Sequence, residues 1–83
     1  MRISVFGSGY VGLVTAAGLA DMGHRILCVD IDESRIKRLR AGQVPFFEPG
    51  LADLVARNLR GERLRFATEL DEEFASADAH FVA

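Results

Sequence analysis

The stretch Phe6-Gly7-Ser8-Gly9-Tyr10-Val11-Gly12 decides the fold of this 83-residue chain. The segment before it, Ile3–Phe6, is too short for a helix and rich in β-forming residues, which predicts a buried strand. The segment after it, Leu13–Ala20, carries small and apolar residues at helical spacing. A strand, a glycine turn and a helix in this order are the context in which G-x-G-x-x-G indicates dinucleotide binding.

Each glycine of the turn has a physical role in that context. Gly7 allows a sharp reversal out of the strand, because it adopts backbone angles closed to other residues. Gly9 has no Cβ, so a pyrophosphate can approach the backbone closely, and Gly12 lets the helix pack tightly on the strands. The first N–H groups of the helix then point at the phosphates, and the helix dipole favours their negative charge.

A second apolar strand, Ile26–Val29, ends in Asp30, eighteen positions after Gly12. This is the distance at which a ribose-binding carboxylate is expected. Asp30 can accept hydrogen bonds from both adenosine ribose hydroxyls and repels a 2′-phosphate, which favours NAD over NADP. Arg35 complicates this preference, since an arginine can accommodate that phosphate, but Asp30 lies nearer the strand tip. A βαβ unit with a glycine turn and no ligand is the less favoured alternative.

Composition excludes several other functions. The net charge of -2 argues against nucleic-acid binding through a general positive field. Residues 3–20 carry no charge, but four glycines interrupt them and Asp21 follows at once, which argues against a membrane span or a signal peptide. Cys28 is the only cysteine and lies within a predicted strand, so we expect a buried, inert thiol in a cytoplasmic protein.

The rest of the chain continues the alternation of strands and helices. We predict a first helix over Tyr10–Met22 that ends at Gly23, a second helix capped by Asp32 or Ser34, and a third helix that begins at Pro49 and ends at Gly61. The predicted strands after the first are a second over Arg25–Val29, a third over Leu64–Ala67 and the start of a fourth at Ala79–Ala83. This order predicts an α/β fold: a Rossmann-like parallel sheet with flanking helices, comprising the first βαβαβ half and a fourth strand. We therefore expect residues 1–83 to form a dinucleotide-binding domain that is incomplete at its C-terminal end.

Other polar residues carry less functional signal. Asp71, Glu72 and Glu73 are adjacent in sequence and do not face one another on a helix, so we expect them to be solvated rather than catalytic. His24 and His80 have no partner at metal-ligand spacing. The sequence thus offers no catalytic residue and no metal site.

Three segments resemble those of a particular family of dinucleotide-binding proteins. Gly7–Leu13, Val29–Asp32 and Phe47-Glu48-Pro49-Gly50-Leu51 resemble the N-terminus of the UDP-glucose/GDP-mannose dehydrogenase family. The resemblance extends over essentially all 83 residues. The Glu-Pro-Gly-Leu segment is the most specific of the three, because generic dinucleotide domains lack it.

The resemblance implies an NAD-dependent enzyme that oxidises the C6 alcohol of a nucleotide sugar to a carboxylate in two steps, with a role in polysaccharide biosynthesis. UDP-glucose, converted to UDP-glucuronate, is the leading substrate; GDP-mannose and UDP-N-acetylmannosamine are alternatives, as is a non-catalytic NAD-binding module. It also implies a homo-oligomeric full-length enzyme whose catalytic cysteine and lysine lie in regions outside these residues. The implied cofactor contacts are Gly7, Gly9, Tyr10, Val11, Gly12, Asp30 and Arg35.

Overall fold

A computed structural model describes residues 1–83 as four strands and four helices. The elements in chain order are β1 (Arg2–Phe6), α1 (Tyr10–Asp21), β2 (Arg25–Val29), α2 (Glu33–Arg40), α3 (Leu51–Arg60), β3 (Leu64–Ala67), α4 (Glu72–Ala75) and β4 (Ala79–Val82). None of these helices combines the length and the apolar character needed to cross a bilayer.

The strands form one parallel sheet in the order β3-β2-β1-β4. Helices α1, α2 and α3 cover one face of the sheet, and the short α4 lies on the other. The pairing of β1 with β2 aligns Phe6 with Val29, so the residues that follow these two strands emerge side by side. This confirms the predicted Rossmann-like sheet and places the glycine turn beside Asp30.

The core lies between the sheet and the three helices on its first face. Its strand members are apolar on both sides of the central strands, as expected where both faces are covered. α1 contributes mainly small side chains, Ala16, Ala17 and Ala20 with Leu13, all fully buried. Small residues let the axis of α1 approach the sheet closely, which determines where its N-terminus lies.

Gly12 is where α1 comes nearest to the strand exit. A Cβ built on Gly12 would lie 1.9 Å from the carbonyl oxygen of Gly7, a backbone atom that cannot move aside. Gly7 itself has φ +105°, so the chain reverses there through a conformation that other residues rarely adopt. The structure therefore confirms the roles predicted for these two glycines.

The connection between α2 and α3 differs from the prediction at one residue. Pro49 was expected at the first position of the third helix, but α3 begins at Leu51 and Gly50 is its N-cap residue, with φ +84°. The left-handed conformation of Gly50 turns the chain into the helix, so Pro49 remains outside it. Of the two phenylalanines before it, Phe46 packs on the core and Phe47 is fully exposed.

The acidic segment near α4 is solvent-exposed at Asp71 and Glu72, as expected, and two of its side chains also form polar contacts. Asp71 is the N-cap of α4, where its side chain accepts the N–H of Phe74, and it also accepts a hydrogen bond from Arg65. Glu73 forms ion pairs with Arg25 and Arg65. These acids attach α4 to the sheet, because each finds a partner on a neighbouring strand.

Gly12→Ala is expected to destabilise the protein by about 3 kcal/mol, because the new methyl group must push α1 away from the Gly7 carbonyl. Gly18→Ala is the matched control: it lies in the same helix with no atom within 4 Å of its Cβ position. Replacing a helical glycine by alanine there should add up to about 1 kcal/mol of stability. Chemical unfolding of both variants tests this; equal stabilities would contradict the close approach.

Candidate dinucleotide-binding site

The N-terminus of α1 opens at the carboxyl edge of the sheet and has no internal cap. Its N-cap residue, Gly9, makes no side-chain hydrogen bond, and the first turn contains no acidic residue. The other three helices each have an acidic residue in the first turn, and α2 and α4 also have an aspartate cap. α1 therefore presents uncapped N–H groups and the positive end of its dipole, which together suit an anion.

Gly9 leaves room in front of these N–H groups. No protein atom lies within 4 Å of the position that a Cβ of Gly9 would occupy, and its φ of -67° is open to any residue. Neither packing nor backbone conformation therefore demands glycine at this position. A group from outside the chain can therefore approach the backbone closely at Gly9, which fits a pyrophosphate.

Asp30 lies next to the turn and is held by it. Its Oδ2 accepts hydrogen bonds from the Ser8 N–H (2.9 Å) and the Ser8 hydroxyl (2.6 Å). Its Oδ1 accepts the N–H of Asp32 at 3.0 Å. The side chain is only 14% exposed, yet every bond it makes favours the ionised form.

The pKa of Asp30 is accordingly lowered. The Ser8 hydroxyl is the largest cause and the Asp32 N–H the next, while burial opposes them and the charge of Arg35 adds to them. The guanidinium of Arg35 lies 3.5 Å from Oδ2, so the structure places the predicted pair together. A carboxylate that stays ionised is the acceptor that ribose hydroxyls require.

Tyr10 and Val11 begin α1 with their side chains on the surface; Val11 is 63% exposed. The Tyr10 ring meets the ring of Phe46 edge-on, with centroids 5.5 Å apart. A hydrogen bond to Glu48, together with burial and the Glu48 charge, raises the pKa of Tyr10. The segment before α3 thus contacts the start of α1.

Cys28 and the two histidines contact protein groups, Cys28 through a hydrogen bond from its Sγ to the Gly7 carbonyl. Burial, with the charge of Asp30, raises the pKa of Cys28 to about 12, so its thiol stays protonated. His80 makes a hydrogen bond to the Ser4 hydroxyl on the neighbouring strand, and His24 contacts the N-terminal amine at 3.0 Å. All three side chains have structural roles.

Ser8 and Glu48 contribute to the site and were not predicted to do so. Ser8 is fully buried behind the turn and donates twice to Asp30. A hydroxyl residue between the two glycines was the available signal for it. Glu48 was noted only as part of a family-specific segment, and nothing local in the sequence indicated its contact with Tyr10.

A parallel α/β sheet, an uncapped helix N-terminus after a glycine turn, and an ionised acid at the tip of the adjacent strand define a dinucleotide-binding domain of the Rossmann type. Comparison with known proteins specifies it further. Residues 1–83 match the UDP-glucose/GDP-mannose dehydrogenase family, NAD binding domain, over their whole length. The chain belongs to this family, and its cofactor is NAD.

Individual relatives agree with this assignment. The chain is 48% identical over 83 residues to a UDP-glucose 6-dehydrogenase of Rhizobium meliloti, covering 100% of this chain and 19% of that protein. It is 47% identical to a UDP-glucose dehydrogenase structure from Pyrobaculum islandicum, with a TM-score of 0.88, and the match covers 99% of this chain and 19% of that chain. It is 36% identical to a GDP-mannose dehydrogenase structure from Pseudomonas aeruginosa, with a TM-score of 0.92, and the match covers 100% of this chain and 19% of that chain. The chain thus spans about a fifth of the length of these relatives.

Asp30→Asn is expected to lower the free energy of unfolding by about 2 kcal/mol at neutral pH, because a hydrogen-bonded charge is lost. The folded pKa of Asp30 lies below its ordinary value of 3.8, so the charge stabilises the fold above that pH. The deficit of the variant should therefore be constant down to about pH 4 and shrink at lower pH.

Urea unfolding at several pH values measures this deficit. Glu69→Gln is the control, because Glu69 is exposed and makes no hydrogen bond or ion pair. A deficit that stays the same between neutral pH and pH 3 would show that the charge of Asp30 does not contribute to stability.

Proposed function

We propose that these residues are the part of a UDP-glucose 6-dehydrogenase that binds the adenosine half of NAD. The complete enzyme would oxidise UDP-glucose to UDP-glucuronate with two NAD. The several UDP-glucose 6-dehydrogenases among the relatives, at 41–49% identity, support UDP-glucose as the substrate. Because the chain spans about a fifth of their length, the activity is a proposal about the whole protein.

The single observation that carries the proposal is the uncapped N-terminus of α1 beside an ionised Asp30. A pyrophosphate would bind the free N–H groups of α1, and the Asp30 carboxylate would accept a hydrogen bond from the adenosine ribose. Arg35 would lie beside that ribose. The proposed contacts are Gly7, Gly9, Tyr10, Val11, Gly12, Asp30 and Arg35.

Catalysis would depend on the rest of the enzyme. A cysteine nucleophile acts as its thiolate, and the buried Cys28, with a pKa of about 12, stays protonated. We therefore expect the 83 residues alone to catalyse nothing. Sugar-nucleotide binding, homo-oligomer formation and the cytoplasmic location belong to the same proposal for the complete protein.

GDP-mannose is a second candidate substrate, favoured by the structural similarity to a GDP-mannose dehydrogenase at a TM-score of 0.92. UDP-N-acetylmannosamine is a third, since the proposed contacts here are to the cofactor and do not distinguish the sugars. A non-catalytic NAD-binding module is the alternative from another class, and it predicts cofactor binding without turnover.

Gly9→Ala is expected to weaken NAD binding about tenfold or more, because its methyl group would occupy the space in front of the helix N-terminus. The fold should lose no more than about 1 kcal/mol, the cost of alanine at an N-cap. Calorimetric titration with NAD, with Gly18→Ala as control, measures the effect. If Gly9→Ala binds NAD with the affinity of the parent protein, the pyrophosphate does not bind at this turn.

Steady-state assay of the full-length protein identifies the substrate. NADH formation at saturating UDP-glucose, GDP-mannose and UDP-N-acetylmannosamine is compared, and we expect UDP-glucose to give the highest kcat/KM. Two NADH should form for each UDP-glucose consumed. Absence of NADH with all three substrates, while NAD still binds, would favour the non-catalytic module.

A further inference from the structure

Ser8 makes a contact that the proposed NAD site does not itself require. It is fully buried, and both of its donors, the backbone N–H and the hydroxyl, are directed at one oxygen of Asp30. The hydroxyl bond, at 2.6 Å, is the shorter of the two, as expected for a donor to a charged acceptor. The residue between the first two glycines thus joins the turn to the tip of β2.

The remaining acceptor capacity of Asp30 is limited. An ionised carboxylate has about four acceptor positions on its two oxygens. Ser8 fills two of them on Oδ2, and the Asp32 N–H fills one on Oδ1. The position that stays open is therefore on Oδ1, so Asp30 as held here can accept one direct bond from a ribose rather than one from each hydroxyl.

Arg35 is the competitor for this carboxylate. Its guanidinium lies 3.5 Å from Oδ2, beyond normal hydrogen-bond distance, and is 37% exposed. The Asp30 side chain has two rotatable bonds, and an arginine offers a bidentate partner. Without the Ser8 hydroxyl, the carboxylate is free to turn towards Arg35 and away from the ribose position.

We propose that Ser8 is a positioning residue for cofactor selection: it fixes Oδ2 of Asp30 against the glycine turn, so that Oδ1 is presented to the adenosine ribose. This inference rests on the proposed NAD site and adds a residue to it. The same fixation keeps the carboxylate where a 2′-phosphate would lie, which strengthens the preference for NAD over NADP.

The experiment compares Ser8→Ala and Ser8→Cys in the full-length protein with the parent. Calorimetry gives the dissociation constants for NAD and NADP. NAD titrations at several pH values give the acidic limb, which is the loss of NAD affinity as the pH falls. Ser34→Ala is the control, since that hydroxyl contacts Arg38 and lies outside the proposed contacts. Asp30→Ala is the benchmark for loss of the carboxylate.

Both Ser8 variants should bind NAD roughly three- to tenfold more weakly, as expected for the loss of one hydrogen bond to a charge, and should discriminate less against NADP. The acidic limb should move to higher pH, because the Ser8 hydroxyl favours the ionised carboxylate. The other ionisable groups facing Asp30 are Arg35 on α2, a cation, and Cys28 on β2, a neutral thiol. Neither changes its charge in the acidic range.

Each possible result decides between support and rejection. Unchanged or tighter NAD binding by both variants would overturn the inference, the tighter case showing that Ser8 competes with the ribose. Weaker binding with an unmoved acidic limb would also overturn it, since a purely structural role predicts that pattern. If Ser8→Ala fails to fold, the near-isosteric Ser8→Cys decides. Failure of the proposed site itself is distinguishable, because then Asp30→Ala would bind NAD as the parent does.

Discussion

The contact between the backbone of α1 and the carbonyl of Gly7 is the constraint on which the site depends. Only a residue without a Cβ fits at Gly12, so the helix starts closer to the sheet than side chains would otherwise allow. The uncapped N–H groups are thereby brought to the carboxyl edge of the sheet. The in-register pairing of Phe6 with Val29 then places Asp30 at the same edge. The proposed phosphate and ribose positions rest on these two backbone relations.

The donors at the glycine turn fall into two groups, those bonded to Asp30 and those left free for the proposed pyrophosphate. Ser8 directs both of its donors inward to Asp30, while the N–H groups at the start of α1 have no side-chain cap. This arrangement resolves an electrostatic conflict. A carboxylate beside an anion site would repel the anion, but here the positive charge of Arg35 offsets that of Asp30 in part, and the Ser8 donors are directed at the same carboxylate oxygen.

The sequence predicted the strands and the backbone of the glycine turn well because their signals are local. A continuous apolar run specifies β2, and the spacing of Gly7, Gly9 and Gly12 specifies the turn. The start of α3 was wrong because proline suits both the first helical position and the residue before a turn. Here the left-handed Gly50 determines the outcome, and a sequence does not display φ.

Residues that act through distant partners were the ones that sequence reasoning missed. Asn58 lies on the buried side of α3 and looks unsuited to a core. It is nevertheless fully satisfied, because Asp21 accepts from its amide N–H and Arg63 donates to its oxygen. Ser8 is the same kind of case: its partner is 22 residues away. Such roles depend on which elements meet, and that is known only from the folded chain.

The family-specific segment and the general dinucleotide fold meet at Tyr10. Phe46 packs edge-on against its ring, and Glu48 raises the pKa of the Tyr10 phenol. Leu51, buried at the start of α3, fixes the far end of the same segment in the core. The family-specific segment and the general dinucleotide fold therefore meet at one helix N-terminus, where Tyr10 contacts Phe46 and the neighbouring turn is joined by Ser8 to Asp30, although the Glu-Pro-Gly-Leu motif begins 36 residues beyond Gly12.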